Sequence, residues 1–261
     1  MDISLLLPRE QYREVHKKHG RAPFMFEIEN YKQLLFYFGA NHSRDPNDSQ
    51  YSVLRKYWNK FLKSTEDRDR IVLVEGGLRR PANNEEKAIK EDSEAGLVTF
   101  FAHQANIPVD CPDIIDNDLV KLLPNNSKEV VLLYYFLSFA NQWRGQSDPK
   151  PDFEKYTSSW LETQNKRKIW EGMDTSFERM KQLYKENIGK EFDQNDNFND
   201  LVNPNRTETA VNKIARAQSD LRDANVASEI ERYWNEGKSI FVAFGSGHLI
   251  IQEPALKKVL K

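Results

Sequence analysis

Two stretches of the sequence repeat one unit: an apolar run, a glycine, two further residues and a histidine. The first is Leu34-Leu35-Phe36-Tyr37-Phe38 followed by Gly39-Ala40-Asn41-His42, and the second is Ile240-Phe241-Val242-Ala243-Phe244 followed by Gly245-Ser246-Gly247-His248. A third apolar run, Ile71-Val72-Leu73-Val74, ends at Glu75-Gly76-Gly77. Two neutral imidazoles and a carboxylate are the ligand set of a catalytic metal with an open position for water. Such a metal brings the pKa of its bound water to about 7. His42, Glu75 and His248 are therefore candidate ligands for a divalent ion such as Zn, Mn or Co. The same groups also suit metal-free acid/base work, one histidine taking a proton from water while the glutamate orients it. The sequence leaves both open.

For these side chains to meet, the three runs must be strands that end at one edge. They are short, apolar and bounded by turn residues, which reads as buried strands. In open α/β sheets, sites form beyond the carboxyl ends of the strands. A glycine directly after a strand permits either a positive φ or close backbone approach, so Gly39 and Gly245 are read as substrate-side turn residues. Arg44 and Asp45 follow His42 in a loop, where substrate-contacting residues concentrate.

The remaining pattern supplies the scaffold. Phe24 to Glu29 pairs with the first run as a β-hairpin, and residues 51–62 place Val53, Leu54, Tyr57, Trp58 and Phe61 at helical spacing. Residues 85–104 read as a helix and Ile107-Pro108-Val109 as a short strand. Asn126, with Glu129 three residues on, reads as the cap of a buried helix through Leu137, a run apolar enough to be a strand instead but long enough to favour the helix. Residues 9–20 read as an exposed, solvated helix, and Thr207 to Trp234 as a long amphipathic helix ended by Gly237. The expected architecture is α/β: a mixed or mainly parallel sheet of repeated βαβ type with flanking helices. One domain is expected over residues 1–261, with 145–206 a helical insertion or lid in which Trp160, Trp170 and Phe177 punctuate charged sequence.

Composition narrows the function. A formal net charge of -2 with interspersed signs leaves no footprint for nucleic acid. No apolar run is long enough for a membrane span. The first apolar run breaks at Pro8 and Arg9, too soon for a secretory leader, and the single Cys111 cannot form an intrachain disulfide. The expectation is a soluble, cytoplasmic protein acting on a small molecule or a peptide. Cys111 reads as a packing residue and His103 as a surface one. Gly237-Lys238-Ser239 is not a P-loop, because Arg232 stands where its first glycine belongs and a strand follows.

At the two GxxH turns the chain resembles the superfamily that groups erythromycin esterases, the TraB and Tiki proteins and the ChaN-like haem-binding proteins. The matching residues are Gly39 to His42, Val74-Glu75-Gly76, Arg222-Asp223 and Val242 to Leu249. They lie within residues 24–120 and 207–260. The resemblance implies an α/β fold of repeated βαβ type and a hydrolase site at the GxxH turns, built on His42, Glu75 and His248, with Arg222 beside them as an oxyanion-stabilising or supporting residue. Glu94 falls at a helix position that is acidic in some members. Tiki proteins are divalent-metal-dependent proteases, whereas erythromycin esterases resemble metal-independent hydrolases. The ChaN branch suggests an alternative, a non-catalytic haem- or small-ligand-binding pocket. The chain departs from the pattern after His248, where Ile250-Ile251-Gln252-Glu253-Pro254 lacks a glycine.

Overall fold

The structure is a computed structural model, and it describes residues 2–114, 127–146 and 149–260. The chain divides into two compact units, one of residues 1–114 with 222–261 and one of residues 115–221.

The first unit is built on a five-stranded sheet of β1 (Phe24–Glu29), β2 (Leu34–Ala40), β3 (Arg70–Val74), β4 (Val109–Asp110) and β5 (Ser239–Gly245). The strand order is β1-β2-β5-β3-β4. β1 runs antiparallel to β2 in the expected hairpin, and the other pairings are parallel. The fold is therefore α/β with a mixed, mostly parallel sheet. β2 and β5 are buried along their whole length, as continuous apolar runs require when both faces of a sheet are covered.

Alternate residues go to opposite cores. Phe36, Phe38, Val72, Val74 and Phe241 pack against helix α2 (Gln50–Ser64) and helix α3 (Glu85–Gln104). Leu35, Tyr37, Leu73, Val242 and Phe244 pack on the other side against helix α9 (Ser246–Val259), the second half of helix α8 (Ala210–Asn235) and Tyr12 and Val15 of helix α1 (Arg9–His19). Helix α1 is thus not the wholly solvated helix expected from its charges, since its Arg9 is buried. Gly237, with φ +84°, follows α8 as the sequence suggests.

The second unit is helical among the described residues: α4 (Lys128–Trp143), α5 (Phe153–Asn165), α6 (Phe177–Ile188), α7 (Phe198–Leu201) and the start of α8. It covers more of the chain than the 145–206 segment singled out in the sequence. Its core gathers Leu132, Phe136, Met180, Tyr184 and Phe198 with Trp170, which is itself a core residue. The proposed cap Asn126 lies outside the described residues. Glu129 is instead taken by the Arg179 guanidinium at 2.7 Å. Among the described residues no helix is long and apolar enough to cross a membrane.

Candidate functional site

The strand order explains why residues far apart in sequence meet. β5 lies between β2 and β3 and is parallel to both, with Ala40 paired to Gly245 and Val74 to Ala243. The carboxyl ends of the three strands therefore coincide. His42 leaves β2, Glu75 follows β3, and His248 occupies the first turn of α9, which begins directly after β5.

Glu75 is the centre. Its Oε1 accepts from Arg222 Nη2 at 3.0 Å and lies 3.4 Å from His248 Nε2. Its Oε2 accepts from the Gly245 N–H at 2.7 Å and lies 3.6 Å from His42 Nε2. Both GxxH histidines thus face one carboxylate. Arg222 also grips Asp113 with Nε and Nη2 at 2.6 and 2.7 Å. That engagement makes it a holder of Glu75 rather than a free oxyanion donor.

The far side of each imidazole meets another carboxylate. His42 Nδ1 is 2.7 Å from Glu94 Oε1, and His248 Nδ1 is 2.7 Å from Asp223 Oδ1. Both carboxylates are only 1% exposed. Asp223 is further bound by the Arg9 guanidinium at 2.5 Å and by Gln252 Nε2 at 2.9 Å, and the buried Tyr37 hydroxyl donates to Gln252 Oε1 at 2.9 Å.

The two histidines differ in access, the His42 side chain being 55% exposed and that of His248 13%. Burial alone would lower the His248 pKa, but Asp223 and Glu75 outweigh it and push it up to about 10. His248 is a cation at neutral pH. The hydrogen bond to Glu94 raises His42 above its usual 6.5 against a smaller opposing effect of burial. Burial would raise Glu75, yet the charges of His248, His42 and Arg222 hold it well below the usual carboxylate range. It remains ionised.

The two glycines act through closeness. Neither has a positive φ. A Cβ on Gly245 would stand 2.5 Å from His42 Nε2 and 3.3 Å from Glu75 Oε2, and one on Gly39 would stand 2.9 Å from Leu249 Cδ1. Gly245 thus opens space for the site, and Gly39 lets α9 lie on β2. The His42 turn is held by α2, where Gln50 Oε1 accepts from the Asn41 N–H at 3.0 Å and the Tyr51 hydroxyl donates to the Ser43 carbonyl. His42 itself has φ +38°, a conformation that L-residues adopt at a cost and that clusters at functional sites. Of the other loop residues singled out, Arg44 is exposed and Asp45 Oδ1 accepts from the Asn47 N–H at 2.9 Å, which makes Asp45 a turn-forming residue.

Sequence reasoning placed His42, Glu75, Arg222 and His248 together, and the structure brings His42, Arg222 and His248 around the carboxylate of Glu75. It gave no role to Asp113, Arg9 or Asp223 as an individual ligand of His248. The signal for Glu94 was its place at a helix position that is acidic in some members of the resembled superfamily.

These contacts do not suit a resident metal. Both Glu75 oxygens are already taken by donors, and a cation between the imidazoles would stand against the Arg222 guanidinium. His248, with a carboxylate facing each nitrogen, is held in its protonated form, which does not ligate. Among the described residues no group of three or more His, Cys, Asp and Glu side chains is arranged to hold a metal ion. Comparison with known proteins adds no relative: no family model, no curated protein and no solved structure matches the chain.

Proposed function

We propose that the chain is a hydrolase of the Tiki/TraB/erythromycin esterase type that activates water without a metal, acting on an ester or amide bond of a small molecule or peptide. The observation that carries this reading is the convergence of two imidazoles on the ionised Glu75 at the carboxyl end of the sheet.

His42 is the proton-transferring residue, because it alone of the pair is open to solvent. Its Nε2 takes a proton from water as the water oxygen bonds to the substrate carbonyl carbon and the π pair moves to the carbonyl oxygen. When the tetrahedral intermediate collapses, the C–O or C–N bond breaks towards the leaving group, and His42 returns the proton to it. Glu75 accepts a hydrogen bond from the attacking water and aims it, which converts an encounter into a positioned reaction. His248 and Arg222 keep Glu75 charged.

The test is turnover of 4-nitrophenyl acetate and of a fluorogenic peptide panel by the full chain. His42→Gln should lower kcat by about 10²- to 10⁴-fold, the usual worth of general acid–base catalysis. The rate should climb with pH through the raised His42 pKa, since the base form is the active one. EDTA should leave the rate unchanged. Loss of activity with EDTA and its return with Zn, Mn or Co would replace this centre with a metal one. A Soret band on adding haem, with no turnover of any probe, would favour the non-catalytic pocket.

A further inference from the structure

The two histidine–carboxylate pairs are alike in distance and unlike in surroundings. Asp223 behind His248 is saturated: Arg9 balances its charge, and Gln252 shares the oxygen that faces His248. Glu94 behind His42 has one oxygen on Nδ1 and the other, Oε2, buried with no hydrogen-bond partner. A carboxylate taken out of water with half its lone pairs unused is an arrangement that folding alone disfavours.

The backbone is bent to make it. Helix α3 breaks at Asp92 and Ser93, where Ser93 takes φ +55°, and Glu94 opens the second half. Gly96 permits the two halves to close, for a Cβ there would run into the Ala88 carbonyl. Positive φ at non-glycine residues is found among the described residues at His42, Ser93 and Asn106. The first belongs to the His42–Glu94 bond and the second immediately precedes Glu94.

From this we infer that Glu94 is the positioning residue for His42: its carboxylate accepts the Nδ1–H, fixes the tautomer and ring direction, and leaves Nε2 facing Glu75 and the substrate. Because His42 is its one charge-bearing partner among the described contacts, Glu94 also balances the imidazolium that forms on proton transfer. His248, whose carboxylate is already neutralised by Arg9, serves as a fixed cation. The kinetic consequences rest on the hydrolase reading, whereas the hydrogen bond and tautomer do not.

The experiment has two arms on the full chain. With 4-nitrophenyl acetate, Glu94→Gln should lower kcat by about 10²-fold or more with KM little changed, as loss of one acid–base orienting group does, and Glu94→Asp should restore part of it. Wild-type kcat in Glu94→Gln overturns the inference. In the second arm, NMR of the 15N-labelled wild type should show His42 protonated at Nδ1, with a strongly downfield N–H proton that disappears in His42→Gln and in Glu94→Gln. Absence of that proton in the wild type overturns the inference even if Glu94→Gln does not fold. Should no probe be hydrolysed while the downfield proton is present and depends on Glu94, the positioning role stands and the hydrolase reading falls.

Discussion

At the scale of single residues, two histidines in one motif are expected to answer differently to the same substitution. His42 is half exposed but is the charged partner of the buried Glu94, so His42→Ala should remove activity and cost less stability in urea denaturation than His248→Ala. His248 is enclosed between Asp223 and Glu75, and His248→Ala leaves those carboxylates without the cation between them. It should lose about 3–5 kcal/mol in equilibrium denaturation, the range for breaking a buried ion pair by removing one partner. Equal losses for both variants would contradict the assignment of a base and a fixed cation. The identity of these histidines was legible because glycine and histidine punctuate apolar runs. Their difference was not, since it comes from Arg9 and Glu94, and nothing local announces that Arg9 meets Asp223 across 214 positions or Glu94 meets His42 across 52.

At the scale of elements, the turns and helix ends carry the geometry. Gly245→Ala should displace the His42 ring, because the added methyl would stand 2.5 Å from Nε2. The expected result is activity close to that of His42→Gln with a retained fold, checked by circular dichroism beside the rate. Gly96→Ala should wedge the two halves of α3 apart and lower the melting temperature together with the rate. Strands β2, β3 and β5 were readable from sequence, since a buried parallel strand has to be an uninterrupted apolar run. Helix α9 was not: Pro254 sits inside it and its first turn is the second GxxH itself. The break in α3 was equally hidden, because Asp92 and Ser93 lie inside an otherwise helical pattern and the bond that Glu94 makes beyond them reaches back to His42.

At the scale of the whole molecule, buried charge links segments from α1 to α9 and makes stability depend on pH in a defined direction. The folded pKa of His248 is about 10 against an ordinary 6.5, so its contribution is complete below about 6.5 and drains away as pH rises towards 10. Glu75 is shifted the other way from 4.5, so its contribution is complete above about 4.5 and is lost as pH falls. The cluster should therefore stabilise most between these values, and melting temperatures should fall on either side. His248→Gln should flatten the alkaline decline. A wild-type melting curve that does not change from pH 6 to 10 would show that His248 is not held as a cation. Truncating the middle of the sheet by Phe241→Ala should cost about 3–5 kcal/mol, as large core deletions do.

Among the described strands, the one at the centre of the sheet is also the last to be made. During synthesis, β2 and β3 emerge by residue 74, yet the strand that joins them begins only at residue 239. Until then the nascent chain offers two open parallel edges, the kind of long-range pairing that is slow to form and prone to capture by other chains. The candidate site accordingly cannot form piecemeal on the ribosome: insertion of β5 closes the sheet and, through Gly245 and His248, assembles the site in the same event.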